Sequence, residues 1–215
     1  MGIISVLRWV GWNTLLAVIP VAAAYAVAWL AGRPAKRRLP ARALAGALLV
    51  VWVAFLPNTC YLLTEWRHFL EWLYQTDLYA RWHVGRDSSA MLRLVTYTGF
   101  FAAYSLIGML TFALGIRPIK AVVRRHTRRL WLWAIPFFTL MSLGVYLGLV
   151  LRFNSWDLIH RTEQVWMAVA TVPYRPVLAG LIIVFGLFLW AAFICIDIWI
   201  DGVQCRWQRT ARVGS

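Results

Sequence analysis

The sequence predicts an all-α integral membrane protein, a bundle of about five transmembrane helices with short helices lying at the membrane surface. Two observations predict this class. The 215-residue chain is 62% hydrophobic and only 14% charged, whereas soluble domains carry about 25% charged residues. The apolar residues also fall in uninterrupted runs of about 20 residues, the length an α-helix needs to cross the hydrocarbon of a bilayer. No repeat, low-complexity tract or linker divides the chain, so residues 1–215 are predicted to form one membrane domain.

Five apolar runs predict the transmembrane helices, and they cover residues 10–31, 43–63, 94–114, 130–151 and 177–196. Basic residues follow the first run more densely than they precede it, which favours a retained helix over a cleaved signal peptide. The second run contains Pro57, which removes a backbone hydrogen bond and either bends or ends the helix. The fourth carries Gly144 and Gly148, whose spacing of four permits close approach of a neighbouring helix.

Two segments between these runs are predicted to lie at the membrane surface. Residues 65–90 are polar and rich in tryptophan, a composition typical of the membrane–water interface. Residues 158–170 are predicted to form an interfacial helix, with Asp157 as its cap. The loop order places both segments on the same side of the membrane.

The net charge of +14 has two competing explanations, nucleic-acid binding and membrane topology. The second is favoured because the basic residues lie between the apolar runs. One set of alternate loops, at residues 33–42, 117–129 and the C-terminal tail, holds 14 of the 22. The positive-inside rule therefore predicts a multi-pass protein of the cell inner (plasma) membrane with its N-terminus outside and its C-terminus in the cytoplasm. Anionic lipid headgroups are the expected partners of the basic loops, and no nucleic acid is expected.

No cofactor or metal is expected. Cys60, Cys195 and Cys205 lack metal-ligand spacing and are predicted to be free thiols, and the four histidines are scattered along the chain. Asp197 and Asp201 share one face at the inner end of the fifth helix. They are expected to pair with Arg206 or with residues 117–129 rather than to relay protons.

Two short segments place polar residues at the outer side, where six of the eight acidic residues also lie. In the first, a helix continuing past Pro57 would align Asn58, Tyr61 or Leu62, and Glu65 along one face. The second, residues 152–157, is predicted to be a helix end followed by a turn. Each segment has a simple structural explanation: a proline kink relieved by Asn58 in the first, and a turn with a headgroup-contacting arginine in the second.

The two segments taken together predict one site at the outer face. Glu65 or Asp157 would act as a general base, and an arginine beside a carboxylate could hold a phosphate or carboxylate group. The predicted binding residues are Asn58, Tyr61, Arg152, Asn154 and Trp156.

Both segments resemble the signatures of the bacterial membrane-protein family known as domain of unknown function 1361, whose members have a similar length. The first signature reads Leu-Pro-Asn-Ala-Pro-Tyr-x-x-Thr-Asp, and the second Tyr-Leu-Gly-Arg-Phe-x-Arg-Trp-Asn-Ser-Trp-Asp. The matching residues are Leu56, Pro57, Asn58, Tyr61 and Thr64, then Tyr146, Leu147, Gly148, Arg152, Asn154, Ser155, Trp156 and Asp157, with Thr98, Gly99 and Ser105 between them. The resemblance implies that the two segments matter together, but it implies no particular reaction.

The sequence departs from these signatures at several positions. Thr59-Cys60 replaces Ala-Pro, so one of two prolines is absent, and Glu65 replaces an aspartate with a longer acid. Leu149 and Phe153 stand where an arginine and a tryptophan are expected. An activity that needed the missing arginine would be in doubt here.

Three functions follow as alternatives, and whether the protein is an enzyme stays open. The polar cluster favours an enzyme or enzyme subunit acting on a lipid-linked or envelope substrate. The glycine pair and the tryptophan-rich segments favour a non-catalytic scaffold that binds a membrane-protein partner or a second copy. The proline in the second run favours a transporter component, but the sequence shows no inverted repeat and hardly any charge deep in the membrane.

Overall fold

The computed structural model describes residues 3–33, 38–64, 66–127, 129–153 and 157–213, and in these ranges all regular structure is helical. The long helices are α1 (Ile3–Ala31), α2 (Arg38–Thr64), α5 (Ser88–Arg124), α6 (Leu130–Leu149) and α9 (Pro176–Val213). Within the described ranges, these five contain apolar stretches long enough to cross a membrane. The prediction of an all-α membrane protein with five spanning helices is therefore confirmed.

Short helices connect the long ones at two places. Helices α3 (Trp66–Gln75) and α4 (Leu78–His83) lie between α2 and α5. Helices α7 (Asp157–His160) and α8 (Thr162–Thr171), with a 3-10 turn at Val172–Tyr174, lie between α6 and α9.

The prediction of one continuous helix over residues 158–170 was wrong, because the segment forms two helices separated at Arg161. The Arg161 N–H donates to the Asp157 carbonyl at 2.8 Å, which closes one helical turn. Arg161 then leaves the helical region (φ −129°, ψ 37°) and becomes the residue from which α8 starts. The break separates α7 from α8, and Val165 of α8 is buried.

Two of the long helices extend by ten residues or more past the C-terminal ends of the apolar runs that predicted them. Helix α5 continues to Arg124 and α9 to Val213, since Lys and Arg are good helix formers even outside hydrocarbon. Residues 117–124 are thus helix, where a loop was predicted. Helix α2 also runs through Pro57 to Thr64, so the proline does not end it.

Helices α2 and α5 lie at the centre of the bundle: α2 packs against α1, α5 and α6, α5 packs also against α1 and α9, and α6 packs against α9. The indole Nε1–H of Trp52, in α2, donates to the Gly115 carbonyl of α5 at 2.8 Å. Leu62, further along α2, meets Gly108, nearer the start of α5. Helices α2 and α5 are therefore antiparallel.

The direction of these helices places α3, α4, α7 and α8 at one end of the bundle, here called the short-helix end. The opposite end is called the ion-pair end. There Arg117 Nη1 donates to Asp197 Oδ1 at 2.7 Å, Arg117 also pairs with Asp201, and Lys120 pairs with Asp197. The prediction that both aspartates pair with basic residues of the 117–129 segment is confirmed. Cys60, Cys195 and Cys205 are free thiols, as predicted.

Candidate functional site at the junction of α2, α6 and α8

Helices α2 and α6 meet where two residues of α2 fill the space left by two glycines of α6. A Cβ placed on Gly144 would lie 2.6 Å from Pro57 Cγ, and one on Gly148 would lie 1.4 Å from Tyr61 Oη. The Tyr61 hydroxyl donates to the Gly144 carbonyl at 3.4 Å. Residue numbers rise together on both helices, so α2 and α6 run parallel here. The glycine spacing acts as the sequence predicted, by permitting close helix approach.

A groove of about 360 Å³ lies beside this contact, between α2, α6 and α8. Its walls are almost entirely apolar, and the polar side-chain groups among its lining residues are the hydroxyls of Tyr61 and Thr162 and the indole N–H of Trp166. The lining residues are Val53, Ala54, Pro57, Tyr61, Leu140, Met141, Leu143, Gly144, Leu147, Gly148, Phe153, Thr162, Val165, Trp166 and Val169. This volume falls in the range of small-molecule sites, which are mostly apolar with a few polar groups.

Helix α8 supplies one wall of the groove because its apolar residues recur at helical spacing. Thr162, Val165 and Val169 lie at i, i+3 and i+7 and all line the groove. Val165 is buried, whereas the neighbouring Trp166 remains mostly exposed. The helix thus covers α2 and α6 with one face and leaves an indole at the rim.

The turn after α6 contains a charged residue directly before a residue that lines the groove. Arg152 has a left-handed backbone (φ 58°) and is exposed. The next residue, Phe153, lines the groove, and its N–H donates to the Leu147 carbonyl at 3.0 Å. The turn therefore joins an exposed arginine to a residue of the groove wall.

Asp157 lies at the start of α7 and is largely buried, with 16% of its side chain exposed. Its carboxylate is 3.6 Å from Arg161 Nε, one turn further along. Within the described residues, Arg152 forms no ion pair with Asp157. The carboxylate is thus held by the arginine of its own turn.

Asn58 is buried in the bundle, with 7% exposure, and does not line the groove. It lies in a stretch, residues 55–60, that is buried throughout. The Thr59 hydroxyl donates to the Leu56 carbonyl at 2.7 Å. The predicted polar face of α2 therefore lies inside the bundle at Asn58 and Leu62, and at the groove at Tyr61.

Three of the predicted site residues, Glu65, Asn154 and Trp156, lie outside the described residues. The shared site formed by the two polar segments stays a prediction. Of the described candidates, Tyr61 lines the groove and Arg152 adjoins Phe153, which also lines it. No group of three or more potential metal-ligating His, Cys, Asp or Glu side chains occurs among the described residues.

Sequence reasoning missed the groove and the α8 residues that complete it. The signal was the spacing of Thr162, Val165 and Val169, which marks one helical face. A second missed feature joins the end of α2 to α3. There Trp66 Nε1 donates to Ser105 Oγ at 2.8 Å, and that hydroxyl donates to the Leu62 carbonyl at 3.4 Å.

Comparison with known proteins gives one match, to a family model described as "Protein of unknown function (DUF1361)", over residues 12–196. The match contains α2, α6, α7 and α8, and so includes every residue that lines the groove. No curated protein and no solved structure matches the chain.

Proposed function

We propose that this chain, which belongs to the DUF1361 family, is a membrane protein that binds a lipid or lipid-linked substrate at the short-helix end of its bundle. The observation that carries the proposal is the apolar groove beside the Tyr61–Gly148 contact. Both polar segments of the sequence contribute to it, through Pro57 and Tyr61 from the first and Phe153 from the second.

The groove suits a hydrocarbon chain better than a water-soluble metabolite. Its walls offer hardly any hydrogen-bonding groups, so a polar molecule would lose its hydration there without compensation. A hydrocarbon chain leaving the bilayer gains little from burial alone, because lipid tails are as apolar as the groove. Selectivity must therefore come from shape and from the polar groups at the rim.

Those rim groups suit an anionic head. Arg152 directly precedes Phe153 of the wall in the chain, and Arg161 directly precedes Thr162. Guanidinium groups bind phosphate and carboxylate with two parallel hydrogen bonds. A phosphate-linked lipid would place its chain along Leu147 and Val165 and its phosphate near these arginines.

A reaction on such a substrate is part of the proposal, with a carboxylate as general base. Asp157 is the described candidate, since its side chain is 16% exposed and its carboxylate lies 3.6 Å from Arg161 Nε. Glu65 is the alternative base. Either carboxylate would accept a proton from a hydroxyl or water attacking the substrate.

The proposed orientation places the short-helix end outside a bacterial inner membrane, with the C-terminus in the cytoplasm. The supporting observation is that 14 of the 22 basic residues belong, in the sequence, to residues 33–42, residues 117–129 and the C-terminal tail. Anionic lipid headgroups are proposed to bind there. An aromatic groove of about 580 Å³ at the ion-pair end carries Lys120 on its wall beside Trp131 and Trp190.

A matched pair of variants tests the lipid site. Val169→Trp adds an indole to the groove wall, whereas Ala170→Trp adds one at the adjacent exposed position, which does not line the groove. Lipids that co-purify with the full-length protein are measured by native mass spectrometry. We expect Val169→Trp to lose most of the bound lipid and Ala170→Trp to retain it. Equal lipid content in both variants and in the unaltered protein would contradict the proposal.

The reaction is tested separately in cells. A strain lacking the protein, complemented by the unaltered chain or by Asp157→Asn, is profiled for lipids and envelope glycans. Accumulation of one lipid-linked species in both the deletion and the Asp157→Asn strain supports catalysis. An unchanged inventory in the deletion strain would leave lipid binding without a reaction.

A non-catalytic scaffold is the second candidate, and open glycines on the outer faces of the helices favour it. A Cβ on Gly11, Gly46, Gly99 or Gly180 would meet nothing within 4 Å, so another helix could approach these faces closely. Crosslinking in intact membranes distinguishes the two candidates. Recovery of the monomer alone would count against the scaffold.

A further inference from the structure

A second cavity at the short-helix end has a different chemical character from the groove. It lies between α3, α4 and α5, measures about 410 Å³ and is separate from the groove in all its lining residues. Its wall combines two arginines with two aromatic rings, a hydroxyl and one buried leucine: Arg81, Arg93, Trp72, Tyr97, Thr76 and Leu78. Neither the proposed lipid site nor the sequence motifs account for it.

The aromatic wall is formed by Trp72 of α3 and Tyr97 of α5. Their ring centroids are 4.1 Å apart at an interplanar angle of 35°. The pair joins the surface helix to the long helix, and Leu78 of α4 is buried beside it. These contacts give the cavity one flat apolar side on fixed helices.

The Arg81 guanidinium is held in place at the edge of the cavity. Its Nη2 donates to Asp87 Oδ2 at 2.6 Å, while Asp87 Oδ1 accepts hydrogen bonds from the Ser89 N–H and hydroxyl. The Arg81 side chain is still 54% exposed. It can therefore donate through its remaining N–H groups without giving up Asp87.

Arg93 is the uncompensated charge of the cavity. Among the residues that the structure describes, its guanidinium makes no hydrogen bond and no ion pair. The Asp87 carboxylate is taken up by Arg81 and Ser89, and Asp77 does not line the cavity. Two arginines against one paired carboxylate leave a net charge of +1 facing the cavity.

We propose that this cavity binds a phosphate group carried by an organic molecule, with Arg93 and Arg81 donating to the phosphate oxygens and Trp72 and Tyr97 contacting the attached group. Guanidinium forks match the geometry of phosphate oxygens and keep their charge at any physiological pH. Two sources share this chemistry, an anionic lipid headgroup in the surrounding bilayer and a soluble phosphate ester.

The experiment uses the full-length protein in nanodiscs and two probes. Glycerol 3-phosphate, titrated calorimetrically into nanodiscs of phosphatidylcholine, reports a soluble ester. Nanodiscs containing phosphatidylglycerol, compared with pure phosphatidylcholine by native mass spectrometry of the retained lipid, report a headgroup. Retention or binding of either probe identifies the source, and binding of neither probe by the unaltered protein would overturn the proposal.

A matched pair of arginine variants locates the binding. Arg93→Gln removes the uncompensated guanidinium of the cavity, whereas Arg86→Gln removes an equal charge from an exposed residue that does not line it. We expect affinity for the retained probe to fall about tenfold or more in Arg93→Gln, as for loss of a charge-assisted hydrogen bond. Arg86→Gln should stay within about twofold of the unaltered protein, since exposed charges are screened by salt. An equal loss in both variants would show general charge attraction and would overturn the site.

Discussion

The phenol of Tyr61 occupies the space in which Gly148 lacks a side chain. A Cβ on Gly148 would lie 1.4 Å from Tyr61 Oη and 2.3 Å from Tyr61 Cζ. Four residues earlier on each helix, Pro57 and Gly144 make the same kind of contact. These two contacts set the spacing of α2 and α6, and the groove beside them depends on that spacing.

Gly148→Ala is expected to destabilise the protein. The added methyl cannot share the position of the phenol, so Tyr61 or the whole of α6 must move. Overpacking of this kind costs about 1–3 kcal/mol. We expect a lower midpoint of unfolding in detergent and a loss of the lipid bound in the groove.

Gly180→Ala is the control for that variant because nothing lies within 4 Å of a Cβ there. Its unfolding midpoint should equal or slightly exceed that of the unaltered protein. The double variant Tyr61→Ala/Gly148→Ala should lose less stability than the sum of its single changes, since the clash is gone. Strict additivity would show that the two residues do not interact.

The five spanning helices could be predicted because hydrocarbon imposes a length and a composition that can be counted in one sequence. Their ends could not be predicted in the same way. Arg124 and Trp207 lie in helix beyond the apolar runs. Backbone hydrogen bonds continue the helix there, although an apolar composition is no longer needed outside the hydrocarbon. The break at Arg161 depends on a local backbone conformation that hydropathy does not report.

The site was predicted only in part because contacts between helices need a register that a single sequence does not contain. Tyr61 was named as a binding residue and Gly148 as part of a packing pair, but nothing in the spacing indicated that they meet. Burial of Asn58 follows from the central place of α2 in the bundle, which also required the fold. The roles of Glu65, Asn154 and Trp156 stay predictions.

Arg152→Gly separates the backbone of Arg152 from its charge. A left-handed conformation costs a non-glycine residue about 1–2 kcal/mol, and Arg152 adopts it with φ 58°. Glycine removes that strain together with the guanidinium. We expect unchanged or slightly higher stability with reduced retention of phospholipid, measured by thermal unfolding and native mass spectrometry.

Arg152→Ala completes this test because it removes the guanidinium and keeps the strain. It should unfold at a lower temperature than Arg152→Gly and retain equally little lipid. Normal lipid retention in both variants would show that Arg152 does not contact the headgroup.

The environment of Asp87, at the start of α5, predicts that the stability of the fold depends on pH. Hydrogen bonds from Ser89, and next the Arg81 guanidinium, lower the pKa of Asp87 from 3.8 to about 2. A folded-state pKa below the unfolded one means that ionised Asp87 stabilises the fold. This contribution is complete above about pH 4 and is lost as the pH falls through about 2.

The Asp87 contribution is measured as the difference in unfolding midpoint between the unaltered protein and Asp87→Asn. The difference should be constant from pH 7 to about pH 5 and should shrink below about pH 4. Because Asp77 is an exposed acid next to α4, Asp77→Asn is the control. A difference for Asp87→Asn that does not change with pH would contradict the assignment.

The ion-pair end predicts unequal roles for two aspartates one helical turn apart. The Asp197 side chain is 12% exposed and receives both Arg117 and Lys120, whereas Asp201 is 63% exposed and pairs with Arg117 alone. Asp197→Asn leaves Lys120 without a carboxylate and Arg117 with Asp201 alone. Loss of one partner of a fully buried pair costs about 3–5 kcal/mol, and the partial exposure of both cations brings the expected cost below that range. Asp201→Asn should cost about 0–1 kcal/mol, since an exposed pair is screened by solvent.

Unfolding of both variants in detergent at low and high salt measures the difference. Lys120→Met in the Asp197→Asn background removes the cation that has lost its carboxylate, since Arg117 keeps Asp201, and should recover part of the lost stability. In the unaltered protein the Lys120 ammonium lies over the Phe193 ring, 5.4 Å from its centroid. The apolar side chain of a methionine at position 120 can keep the contact with that ring. Equal destabilisation by Asp197→Asn and Asp201→Asn would mean that the two ion pairs hold α5 to α9 equally, against the difference in their burial.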